Sequence, residues 1–125
     1  MNYKNFVDVS ILERVFKADF DLDKGDLFQI LFHRDGPKAE LIFNMMTYPS
    51  NPPNKWKNFN TLQINLIFSG VSDVKFNGWD TDNLVDFIFS ENDGRKLFVA
   101  KNNDCEISFE YIFCEVSKLT PYLKE

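Results

Sequence analysis

The sequence predicts a mainly β chain: an antiparallel sandwich or open barrel of about eight strands, with room for one short N-terminal helix. Three observations predict it. Apolar and polar residues alternate through most of the chain beyond residue 26, the two-residue period of a strand with one buried face. Turn-forming pairs (Asp35-Gly36, Asn77-Gly78, Asp93-Gly94) punctuate that alternation at roughly the spacing of an all-β fold. Phenylalanine supplies 14 of the 125 residues, and Phe suits a pleated, half-buried surface. Residues 1–125 are the length of one domain, with no linker, repeat or low-complexity tract to divide them.

The elements follow in order. Between Phe6 and Phe16, the residues Val7, Ile11, Leu12 and Val15 mark one helical face, with Asn5 or Asp8 as the cap. Leu27 to His33 then alternates, with Phe28, Ile30 and Phe32 expected inward. Asp35-Gly36-Pro37 turns into Ala39–Met45, whose inward pair is Leu41 and Phe43. Three prolines, Pro49, Pro52 and Pro53, exclude a central strand over 47–60. Leu62, Ile64, Leu66 and Phe68 form the next inward set. Val74 and Phe76 follow in a short strand, then Val85, Phe87 and Phe89, then a strand over Lys96–Ala100. The last stretch, Cys105 to Leu119, begins with Ile107 and Phe109 inward and ends with Ile112, Cys114 and Val116 inward. That change of phase calls for a bulge or bend near Glu110-Tyr111. Nearly all connections are hairpin length, so a meander is expected.

Charge narrows the partners. The net charge is −5, but residues 1–79 hold nine acids and nine bases and are neutral. Residues 80–115 hold nine acids against Arg95, Lys96 and Lys101, a balance of −6. Nucleic acids and anionic membranes require a basic footprint, so neither is an expected partner. An acidic surface instead speeds encounter with a basic one. No apolar run approaches the ~20 residues of a membrane span, the start lacks the apolar stretch of a signal peptide, and the expected compartment is the cytosol. Cys105 and Cys114 read as small core residues, not as a disulfide.

The sequence offers little for catalysis, and no catalytic residue, metal site or cofactor is expected. The one histidine, His33, lies on a polar-facing strand position beside Arg34. One His and two distant Cys do not make a zinc site. Asp19, Asp21, Asp23 and Asp26 resemble a calcium loop in density only. Counted from Asp19, the turn position is Lys24 and the bidentate position is Ile30, where such a loop requires Gly and Glu. The tryptophans carry more. Trp56 and Trp79 both lie beside turns, where Trp serves either as a structural plug or as a binding anchor. Trp79 with Asp80, Asp82 and Asp86 makes an acidic aromatic patch at one end of the sheet. With Trp56 and Tyr48, these are the residues expected to bind a partner.

The run Pro52-Pro53-Asn54-Lys55-Trp56, then Asn60–Phe68, Gly70-Val71, Val74 and Gly78-Trp79, resembles the immunity protein 50 family of bacterial polymorphic-toxin systems. The likeness covers residues 30–122 and leaves the first 25 residues without a role. It implies a non-catalytic protein that binds and masks a cognate toxin, and the acidic patch suits a basic nuclease. A carbohydrate- or small-ligand-binding β module is the alternative, since loop tryptophans stack on sugars. A third is a hydrolase with two carboxylates in a deep pocket.

Overall fold

The computed structural model describes residues 3–17, 20–56, 58–79 and 83–124. It is mainly β. A 3-10 turn (Tyr3–Asn5) and one short helix, α1 (Ser10–Phe16), precede eight antiparallel strands: β1 (Lys24–His33), β2 (Lys38–Met45), β3 (Thr61–Ser69), β4 (Ser72–Asn77), β5 (Leu84–Asn92), β6 (Arg95–Lys101), β7 (Glu106–Tyr111) and β8 (Phe113–Tyr122). They form one sheet, not closed, in the order β4-β7-β6-β5-β1-β2-β3-β8. Two meanders, β1-β2-β3 and β5-β6-β7, meet where Lys24, Gly25 and Asp26 of β1 pair with Asp86, Val85 and Leu84 of β5. The hairpin expected at Asp35-Gly36 forms, with His33 opposite Lys38.

The two edge strands arise from a single bent ribbon. β3 continues into β4 through Gly70 and Val71, and β7 continues into β8 through Ile112. Ser69 pairs with Phe113 on one side of the bend, and Ser72 pairs with Glu110 on the other. Ile112 donates its N–H to the Ser69 carbonyl at 2.9 Å across the corner. The ribbon therefore begins in one half of the sheet and ends in the other, and the sheet curls over its own inner face. This corrects two expectations. Cys105–Leu119 is not one bulged strand but two strands, and Ile112 is not inward: it is 74% exposed at the corner. The shift of phase is real, because Cys114 and Val116 are buried as Ile107 and Phe109 are.

Phenylalanines fill the fold. The Phe68 ring of β3 sits 4.7 Å from Phe98 of β6, 4.9 Å from Phe109 of β7 and 5.0 Å from Tyr111, so one side chain joins the two halves. Leu62, Ile64 and Leu66 complete the buried face of β3, as the alternation predicts. Truncating a buried Phe in such a cluster costs about 3–5 kcal/mol.

The N-terminal segment is part of the core. Tyr3, Val7, Val9, Leu12 and Leu22 are all buried. Asp8 bridges to β8: its N–H donates to the Cys114 carbonyl at 2.8 Å, and its carbonyl accepts the Val116 N–H at 3.0 Å. Its carboxylate accepts the Ser10 N–H and hydroxyl just ahead of α1, although Val9 holds the cap position itself. These bonds hold the Asp8 carboxyl below its usual range. The Tyr3 hydroxyl donates to Asp23 at 2.9 Å and accepts the Leu22 N–H at 2.9 Å, tying the entry to the start of β1.

Candidate functional site

The inner face of the curled sheet does not close everywhere, and the opening is lined with aromatic rings. β1 carries a bulge: Leu27 opposes Phe43, but Gln29 opposes Ile42, so Phe28 is the extra residue. Beyond it, Ile30 and Phe32 stand opposite the buried Leu41 and Ala39 and share their face. On the far side, Phe76 of β4 stands opposite the buried Ile107. The inward expectation was right in direction and wrong in depth for Ile30, Phe32 and Phe76, and wrong for Phe28 and Val74: the bulge hands the buried position to Leu27, and Val74 is exposed. β4 is an edge strand paired only with β7, and nothing among the described residues covers this part of it. Val74 lies next to a second irregularity between Ser72 and Lys75 where Asp73 takes φ +56°.

The result is a groove of about 420 Å³ lined by Phe28, Gln29, Ile30, Phe32, Phe76 and Trp79. Phe28, Phe32, Phe76 and Trp79 are 44%, 43%, 48% and 46% exposed. Single exposed apolar residues need no explanation, but several on one concave surface mark an interaction site. Phe32 meets the core ring of Phe109 edge to face at 6.1 Å, so the floor of the groove is continuous with the interior. Phe76 and Trp79 lie 6.0 Å apart with planes tilted by 43°. Gly78 sets the position of Trp79. Its φ is +77°, and a Cβ there would fall 2.0 Å from the Asp104 carbonyl oxygen, so only glycine lets the chain pass this close to the β6–β7 connection.

The two tryptophans are separated by burial. Trp56 lies in a 3-10 turn (Asn54–Trp56) in the β2–β3 connection, is 8% exposed and contacts the half-buried Tyr48 at 6.5 Å. Its N–H donates to the Pro53 carbonyl at 2.9 Å. Burial pushes the Tyr48 hydroxyl above its usual pKa, and that hydroxyl has no hydrogen-bond partner among the described residues. Neither Trp56 nor Tyr48 lines the groove that holds Trp79. Asp86 pairs in register with Lys24 and Lys101 and lies 3.7 Å from the Lys24 ammonium, an exposed pair of small energetic weight. Asp80 and Asp82 lie outside the described residues. The chain on either side of them is fixed: Trp79 lines the groove, and the Asn83 carbonyl accepts the Leu27 N–H at 3.0 Å.

Sequence reasoning missed Phe28, Phe32 and Phe76 as surface residues. One signal was present: Leu27-Phe28 and Leu31-Phe32 are adjacent apolar pairs, more than a strand with one buried face can use. Among the described residues, no three His, Cys, Asp or Glu side chains come together as a metal-binding group. His33 is exposed at the end of β1. No described helix is long and apolar enough to cross a membrane.

Compared with known families, residues 8–122 match the model of immunity protein 50. The chain belongs to the immunity protein 50 family. The match spans α1 and all eight strands and reaches back to Asp8, well before the residue-30 limit of the resemblance seen in the sequence alone. No curated protein and no solved structure matched the chain. Membership in the immunity protein 50 family points to a toxin-neutralising role and to a cognate toxin as the partner.

Proposed function

We propose that this immunity protein 50 family member acts in the cytoplasm of the producing cell as a non-catalytic inhibitor that binds one cognate toxin and covers its working surface. The observation that carries the reading is the groove: four half-exposed aromatic rings on one concavity of a protein from a toxin-binding family. Trp79 is the anchor at its mouth. Large aromatics dominate protein–protein hot spots because they bury much area at little conformational cost. The acidic surplus of residues 80–115 supports a toxin with a basic working surface, as a nuclease has. Asp80, Asp82 and Asp86 then supply steering, and Trp56 with Tyr48 supports the scaffold in the β2–β3 connection.

The test is co-expression with the toxin encoded beside the gene of this chain. The intact protein should restore growth, and Trp79→Ala should weaken protection. Charge reversal (Asp80, Asp82 and Asp86 to Lys) should slow association at low salt and change dissociation little. Unchanged association in the reversed variant would remove the electrostatic part of the reading. Failure of the intact protein to bind that toxin or protect against it would remove the whole.

A further inference from the structure

We infer that the aromatic groove seats a cationic side chain of the toxin, an arginine by preference, against the face of Trp79. The inference rests on the toxin-binding reading above and names the chemistry that the site selects.

Three features favour a cation over a purely apolar knob. The first is the ring geometry. Phe76 and Trp79 are neither stacked nor locked edge to face but tilted at 43°, and both remain half exposed, as do Phe28 and Phe32 across the groove. Aromatic faces are electron-rich and attract a cation within about 6 Å, indole most strongly. The second is the distribution of charge. Among the described residues, no cationic side chain lines the groove. Lys75 and His33, next to Phe76 and Phe32 in their strands, fall on the opposite face by strand alternation. The sequence that follows Trp79 is acidic, with Asp80 and Asp82, and residues 80–115 hold nine acids against three bases. A cationic occupant is complementary to that acidic surplus, and an apolar one is not. The third is Gln29. Among the lining residues it alone carries a side-chain hydrogen-bond acceptor, its amide oxygen. A guanidinium lies flat on a ring and keeps several N–H donors free at its edge, so it can meet a ring face and an amide oxygen together.

The decisive comparison is arginine against citrulline, which keeps the shape and removes the charge. Acetyl-Gly-Arg-Gly-amide and its citrulline counterpart are titrated to tens of millimolar into the intact protein, and the indole N–H resonances of Trp79 and Trp56 are followed by NMR. The arginine peptide should shift the Trp79 resonance and leave Trp56 in place; the citrulline peptide should shift neither. Trp79→Leu should abolish the response of the surrounding Phe28 and Phe76 amides. Equal shifts with both peptides, or none with either, overturn the cationic seat.

With the toxin encoded beside the gene, each toxin Arg and Lys is changed to Gln and combined with Trp79→Leu. One toxin position should couple to Trp79, each single change weakening binding about 10-fold and the pair much less than the product. An intact complex in which no basic position couples to Trp79 refutes the inference and leaves the toxin-binding reading standing. Absence of any complex, together with absence of protection, refutes that reading itself.

Discussion

Phe43 of β2 and Phe87 of β5 meet edge to face at 4.8 Å, and they meet directly over Gly25 of β1, the strand between theirs. A Cβ on Gly25 would lie 2.5 Å from the Phe43 ring and 2.7 Å from the Phe87 ring. The strand pairing between the two meanders runs over Lys24–Asp26, so this glycine sits in the seam between them. Gly25→Ala must push both rings apart, and overpacking of that kind costs about 1–3 kcal/mol. Urea denaturation should show a lower midpoint with an unchanged slope; an unchanged midpoint would mean the seam relaxes freely.

The Tyr111 hydroxyl reaches back to the N-terminal segment and donates to the Phe6 carbonyl at 3.0 Å. Tyr111→Phe keeps the ring against Phe68 and removes only that donor. A part-buried carbonyl then loses its partner, a loss of about 1–3 kcal/mol. Thermal melts followed by circular dichroism should register it, and amide exchange near Val7 should rise in the same variant.

Burial pushes the hydroxyls of both Tyr3 and Tyr111 well above the ordinary tyrosine value of 10.0. The folded state therefore keeps these protons where the unfolded chain releases them. The stabilisation is complete below pH 10.0 and is lost as pH rises beyond it. Melting temperatures should fall as the pH is raised past that value, and the fall should be shallower in Tyr3→Phe/Tyr111→Phe. Parallel pH profiles for the two proteins would show that these hydroxyls are not the cause.

Cys105 and Cys114 are free and buried, and burial raises both thiol pKa values, that of Cys114 strongly. The thiolate is the reactive form. A chromogenic disulfide reagent at neutral pH should therefore label neither cysteine in the native protein and both in guanidinium chloride. Rapid labelling of Cys114 without denaturant would expose an opening of the β8 edge that the packing does not suggest.

Trp56 and Trp79 should separate stability from binding. Trp56→Ala empties a buried site and should cost about 3–5 kcal/mol in urea titrations. Trp79→Ala, on the surface, should stay within about 0.5 kcal/mol of the intact protein and yet weaken the toxin complex at least tenfold in calorimetry. The reverse pattern would move the binding site to the β2–β3 connection.

Much of this fold was legible because burial on one face writes a two-residue rhythm. Leu62, Ile64, Leu66 and Phe68 on β3, and Val85, Phe87 and Phe89 on β5, lie inward as that rhythm requires. The corner at Ile112 was not legible. A single residue between two strands carries no period, and its apolar character made it look like the start of the next inward set. Phe32 and Phe76 show a different limit. Their direction is local and was readable, but their exposure depends on how far two halves of a sheet approach, which no local pattern records. The same holds for the tryptophans: both sit beside turns, and only the packed structure buries one and exposes the other. The first 25 residues had no assigned role, because Tyr3 acts through contacts with Leu22 and Asp23 that sequence separation conceals.

The bridge between Asp8 and Glu115 also bears on when the molecule matures. The segment that enters the interior first in sequence is pinned by β8, the eighth of the described strands. A nascent chain still holding β8 inside the ribosome has nothing to pair with Asp8, and the open side of β3 stays bare. Completion must then await the emergence of β8, followed by closure of contacts more than a hundred residues apart, a slow step for any chain. Premature termination ahead of Phe113 would yield not a weaker protein but an unfinished one, prey to proteases.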